Sequence, residues 1–140
     1  MLADLLRRIA GRRESTDVTR HNVHGIDVVV YNTRPDIQTD AVIARLERSL
    51  FLIERYVPHH FRHLQRDFAY IVVQRFACRG AYFHEQRACL VELTFTVNPG
   101  FSDAEVAATI LHEARERLGE EVDHVEAVKM VEQENGIEIR

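Results

Sequence analysis

Residues 102–118 read Ser-Asp-Ala-Glu-Val-Ala-Ala-Thr-Ile-Leu-His-Glu-Ala-Arg-Glu-Arg-Leu, and the rest of the chain is organised around them. Val106, Ala107, Ile110, Leu111, Ala114 and Leu118 recur at steps of three and four, so the segment is expected to be a helix with one apolar face against a sheet. Ser102 and Glu105 have the spacing of a capping box, which starts a helix. Gly119 is placed to end it. Glu105, Thr109, His112 and Glu116 fall on the opposite face. As a solvated face this needs no chemistry, since a His and a Glu four apart are common there. Glu113 with Arg117 would then be a surface ion pair worth about 0.3–0.5 kcal/mol. As a site, His112 and Glu116 lie about 40° apart around the helix axis and can reach one metal ion. Glu113, between them, is placed to act as general base toward a water activated by that ion.

Upstream, Asn98-Pro99-Gly100 is a strong turn. Before it, Cys89 to Val97 alternates, with Cys89, Val91, Leu93, Phe95 and Val97 on one face and Glu92, Thr94 and Thr96 on the other, which predicts a strand. Phe68 to Val73 predicts a strand buried on both faces, and Ala81-Tyr82-Phe83 a shorter one in a hairpin at a sheet edge. Ile26 to Tyr31 is a further strand, bounded by Gly25 and by Asn32-Thr33-Arg34-Pro35. A long core-facing helix is expected from Thr39 to Val57, with Thr39 as its cap and Pro58 just past its end. Gly11 to Thr19 is polar and reads as a loop. Residues 1–13 are expected to form a short basic amphipathic helix, with Leu2, Leu5, Leu6 and Ile9 in a stripe, that packs on its own domain or on a second copy, the alternative being a membrane-surface or partner-docking segment. A last helix is expected from Glu121 to Gln133. Together these elements predict one α+β domain over residues 1–140, a small mixed or antiparallel sheet packed against helices.

At 140 residues the chain is long enough for a real core, and 46% apolar with 29% charged residues argues against disorder. A net charge of −4 supplies no basic field, and no aromatic-basic platform accompanies the scattered Lys and Arg, so nucleic acid is not an expected partner. No apolar run approaches the ~20 residues that span a membrane. The start, with Asp4 inside a very short apolar stretch, makes a poor signal peptide. A cytoplasmic protein with Cys78 and Cys89 reduced is therefore expected, although the two could pair if they faced each other across a hairpin.

Two further places attract attention as metal sites. On the last helix, Val122, Val125, Val128 and Val131 form an apolar stripe into which Glu132 falls, with Glu126 at its edge. An isolated carboxylate at an apolar position is costly unless paired or metal-bound. Glu132 would then complete a site with His112 and Glu116, with Glu126 as the alternative; otherwise Glu132 reaches solvent or pairs with Lys129. In Pro58-His59-His60-Phe61-Arg62-His63, His59 and His63 are four apart and would clamp a metal if the segment is helical. The plain alternative is the solvated first turn of a short connecting helix.

The order of parts is a strand, a long helix, a strand, an edge hairpin, a helix bearing His-Glu-x-x and a closing helix with a Glu. It resembles the minimal zincin-like metallopeptidase domain of the gluzincin type. Val106 to Ala114 looks like the helix of small bacterial proteins of that kind, close to A-x-T-I-x-H-E-A-x-H-A-R. The likeness also touches Arg79-Gly80-Ala81-Tyr82 and the strand ending in Thr94-Phe95, which would be the edge strand beside the cleft. It spans roughly residues 25–135. The resemblance implies a divalent metal, zinc first, with His112 as first ligand, Glu113 as base, and Glu132 or Glu126 as downstream ligand. It implies a peptide or protein substrate. Glu116 departs from the pattern, standing where the second His belongs. The rival expectation is a catalytically inactive copy of the same fold, acting as a protein-binding or assembly module that forms homo-oligomers or captures a peptide along its edge strand.

Overall fold

Val23 and Ile26 face each other across His24 and Gly25, and that two-residue turn starts the sheet. Both turn residues have positive φ, 51° at His24 and 82° at Gly25, the backbone of a type I′ hairpin turn, whose twist matches that of the strands it joins. Such a φ is strained for any residue with a Cβ, which is why a glycine takes the second position. The computed structural model describes residues 17–118, with side chains through Ala114. The expected helices at 1–13 and 121–133, Gly119, Glu126, Glu132 and the side chain of Glu116 lie outside the described residues.

Strand β1 (Asp17–Val23) pairs antiparallel with β2 (Ile26–Asn32). Helices α1 (Thr39–Tyr56) and α2 (Pro58–Asp67) then lead to β3 (Tyr70–Gln74). A short strand β4 (Gly80–Phe83) turns back into β5 (Ala88–Glu92), followed by a helical turn α3 (Leu93–Val97) and the long helix α4 (Asp103–Leu118). The sheet has five strands in the order β1-β2-β3-β5-β4. The three central strands run parallel, and an antiparallel strand closes each edge. The protein is thus α+β with a mixed sheet packed against helices.

The central strands are buried on both faces, as near-continuous β-branched runs require. Val28, Val30, Ile71, Val73, Cys89 and Val91 share one core with Val42, Leu46, Leu50 and Ile53 of α1 and Val106, Ile110 and Leu111 of α4. Val29, Val72 and Ala88 form a second cluster on the other face, edged by Tyr31, Tyr70 and Phe83. Each large aliphatic side chain so buried contributes about 1.5–3 kcal/mol.

Three local expectations are corrected. Residues 17–19 belong to β1 and not to a loop; the strand is polar and mostly exposed, so it carries no alternation to read. Thr39 does not cap α1. Gln38 is the N-cap and makes no side-chain cap bond, while Thr39 is the first helical residue and its Oγ1 accepts from Asn32 Nδ2 at 3.2 Å. The strand expected through Val97 ends at Glu92. The Glu92 carboxylate caps α3, its Oε1 accepting from Phe95 N at 2.8 Å and from Thr94 Oγ1 at 2.5 Å, and Thr96 Oγ1 donates back to Glu92 O at 2.7 Å. These local bonds offer the backbone an alternative to the ladder, and they override the strand preference of Leu93-Thr94-Phe95-Thr96-Val97. The edge strand is accordingly β4, and the segment holding Thr94 and Phe95 is helical. Glu92 Oε2 lies 3.3 Å from Arg75 Nε, close enough for an ion pair but poorly aligned for a hydrogen bond.

Candidate functional site

The capping box forms as the sequence predicts: Glu105 N donates to Ser102 Oγ at 3.1 Å, and Ser102 N donates to Glu105 Oε1 at 3.0 Å. Just before it, Gly100 N donates to Asn98 Oδ1 at 2.7 Å, which fixes the Asn98-Pro99-Gly100 turn. The start of α4 is also held from α1. Arg45, 8% exposed, donates to Phe101 O at 2.7 Å and to Asn98 O at 3.1 Å, and its Nε lies 3.4 Å from Asp103 Oδ1. The axial position of His112 and Glu113 is therefore set from both ends of this joint. Arg45 is a residue that sequence reasoning passed over. Its signal is its place beside the apolar stripe of Val42, Leu46 and Leu50.

Once α4 is set, its two motif residues face different surroundings. His112 is exposed. Glu113 is only 9% exposed and points at the edge strand, so it is not a solvated surface residue; the side chain of Arg117, its expected ion-pair partner, lies outside the described residues. A Cβ built on Gly80 would lie 3.3 Å from Glu113 Oε2, 3.0 Å from Thr109 Cγ2 and 3.1 Å from Leu90 O. Gly80 is therefore what lets β4 close over the helix, and it brings the backbone of the edge strand beside a buried carboxylate. Thr109 Oγ1 donates to Glu105 O at 3.1 Å, which turns its methyl toward Gly80.

The residue before Gly80 anchors the same corner. The Arg79 guanidinium lies 5.2 Å from the Phe95 ring centroid and 4.4 Å from that of Phe101, two rings themselves in edge contact at 4.9 Å. Arg79 O accepts from Glu92 N at 2.8 Å. Further along β4, Tyr82 stacks on Phe68 at 5.7 Å and meets His84 edge-on at 5.0 Å.

Cys89 lies inside this site, on β5 opposite Tyr82, and is fully buried. Burial pushes its thiol well above the ordinary range, and the charge of Glu113 adds to the shift. Cys78 is exposed and both thiols are free, so the two do not face each other across the hairpin. A thiol reagent is expected to modify one cysteine of the folded protein, Cys78, and to reach Cys89 only on unfolding; rapid labelling of both would contradict this. An acid whose pKa is raised by folding favours the fold in its neutral form. The Cys89 contribution is complete below about pH 8.5, where an unfolded thiol titrates, and is lost as pH rises through the folded value.

Of the residues expected to form a metal site, the structure places His112 and Glu113 side by side on α4 and brings Glu113 to the edge strand. Among the described residues no group of three His, Cys, Asp or Glu side chains converges to hold a metal ion. Glu116, Glu126 and Glu132, as side chains, lie outside the described residues. His59 and His63 do come together on α2, with ring centroids 4.4 Å apart.

Fold and site define an α+β domain with a His-Glu helix running beneath an antiparallel edge strand. The chain matches no protein-family model, no curated protein sequence and no solved structure. Among the described residues no helix is long and apolar enough to cross a membrane.

Proposed function

We propose that the chain is a metal-dependent hydrolase of the zincin type acting on a peptide or amide bond. The observation that carries this reading is the buried Glu113 carboxylate held against the backbone of edge strand β4 at Gly80. The donor chemistry fits zinc: His112 offers an exposed imidazole, and Glu116 with Glu132 or Glu126 would add carboxylates, all ordinary zinc ligands. Such a cation supplies Lewis-acid activation of water and of the scissile carbonyl. The chain's own residues do the rest. Strand β4 aligns an extended substrate by antiparallel backbone hydrogen bonds along its outer edge. Glu113 takes a proton from the attacking water and delivers it to the departing nitrogen. Gly80 leaves the carboxylate room to reach that water.

Wild type, His112→Ala and Glu113→Gln, each as the full chain, test this. Zinc measured by mass spectrometry is expected near one equivalent at this site in wild type and Glu113→Gln, and that equivalent is expected to be lost in His112→Ala. Hydrolysis of a peptide library is expected to fall by about 10²–10⁴-fold in Glu113→Gln, the usual contribution of a general base. Metal content indifferent to His112, or hydrolysis indifferent to Glu113, would reject the reading.

The edge strand also supports a second reading, a non-catalytic module that captures an extended peptide or a second copy along β4. Among the described residues, β4 pairs with β5 alone. Metal-free protein that binds peptides as tightly as metal-loaded protein, without cleaving them, would favour it.

A further inference from the structure

We infer that His59 and His63 form a two-imidazole clamp for a late first-row divalent cation of the nickel, copper and zinc group, separate from the His112 helix. Pro58 at the first position of α2 starts the helix, and Pro58–Asp67 is helical throughout. Residues 59 and 63 therefore lie one turn apart on the same face, within reach of one ion.

The separation of the two rings is that of a pair able to share one ion. Imidazole nitrogens sit about 2.0–2.1 Å from such a cation, so each ring centroid lies about 3.2 Å from it. Two rings on one ion then have centroids about 4.5 Å apart at a right angle and about 5.2 Å apart at the tetrahedral angle. The His59 and His63 centroids are 4.4 Å apart with their planes inclined at 60°. That is the right-angle value, the angle of square-planar and octahedral sites, and the preference of nickel and copper within the group.

The two rings differ in exposure. His59 is exposed and gives the ion an entry, while His63 is half-buried and holds its ring against the fold. The buried His60 packs edge-on against His59, with centroids 5.7 Å apart and planes at 88°, which limits the swing of the exposed ring. Two ligands leave the other coordination positions to water, so the site is an open one that exchanges its ion.

Nickel titration by calorimetry on the full chain tests the clamp, with wild type, His59→Ala, His63→Ala and His112→Ala side by side. His112→Ala is expected to keep one nickel equivalent, with its melting temperature raised by nickel, and wild type to hold that same equivalent beside whatever the His112 site takes up. Affinity is expected to fall at least tenfold in His59→Ala and in His63→Ala. His59 is on the surface, so His59→Ala keeps the fold, and circular dichroism checks that it does. Wild type that takes up no nickel, or nickel binding unchanged in His59→Ala, would overturn the inference. Nickel lost only in His112→Ala would also overturn it, by assigning the ion to α4.

Discussion

Arg45→Met is expected to destabilise the protein by about 2 kcal/mol, the range for stripping a part-buried carbonyl of its charged donor, and to lower the melting temperature by roughly 8 °C. Methionine matches the length and packing of the arginine stem, so the loss is that of the guanidinium itself. Its Nη1 and Nη2 satisfy the carbonyls of Phe101 and Asn98, and its Nε faces Asp103. Phe101 O would be left without that donor in a place water reaches poorly, and an unmet buried acceptor costs about 1–3 kcal/mol. Asn98 O would keep its bond from Phe101 N. Arg48→Met is the control. Arg48 donates to the other Asp103 oxygen at 3.0 Å, but its side chain is 56% exposed, and an exposed pair is worth about 0–1 kcal/mol. Urea denaturation of both variants decides the point. Equal effects would mean that the joint between α1 and α4 is an ordinary surface contact. Arg45→Lys is expected to recover only part of the loss, because a single ammonium cannot span two carbonyls and a carboxylate as the fork does.

The same joint shows which parts of the protein the sequence makes legible. The capping box at Ser102 and Glu105 is local, its partners three residues apart, and it forms as written. The parallel core strands carry their burial in their composition. β1 does not, because Val18, Arg20 and Asn22 alternate with Thr19 and His21 and neither face is apolar; the readable signal was the two-residue His24-Gly25 turn between Val23 and Ile26. At Glu92 a strand pattern continues through Val97 but the backbone does not, since one carboxylate satisfies the Phe95 amide in the first turn of a helix. The candidate site divides in the same way. That His112 and Glu113 share a helix could be read from spacing. That one is exposed and the other buried could not, because their difference depends on β4, which reaches the helix only through the hairpin with β5.

That dependence makes Gly80→Val the sharper probe of the site. On strand preference alone valine should stabilise β4 by about 0.5–1 kcal/mol, since glycine is a poor strand residue. The surroundings oppose it. The first carbon would meet Thr109 Cγ2 at 3.0 Å and Leu90 O at 3.1 Å, and the latter is backbone of a fully buried strand that cannot step aside. Two more methyls add to an overlap that typically costs about 1–3 kcal/mol. A net destabilisation of about 2 kcal/mol is expected, with Gly80→Ala losing less. If β4 lifts to relieve the contact, Cys89 on the neighbouring strand β5 should become reactive to a thiol reagent in the folded protein, and hydrolysis should fall as Glu113 loses its alignment with β4. Removing the opposing methyl provides the internal check: Thr109→Ala combined with Gly80→Val is expected to recover about 1 kcal/mol more than the single effects add to, the size of coupling seen between touching residues. Additive effects would mean that valine does not press on Thr109 and that the helix stands further from the edge strand. Glu113 would then have no strand to work against, and both the hydrolase and the peptide-capturing readings would lose the contact on which they rest.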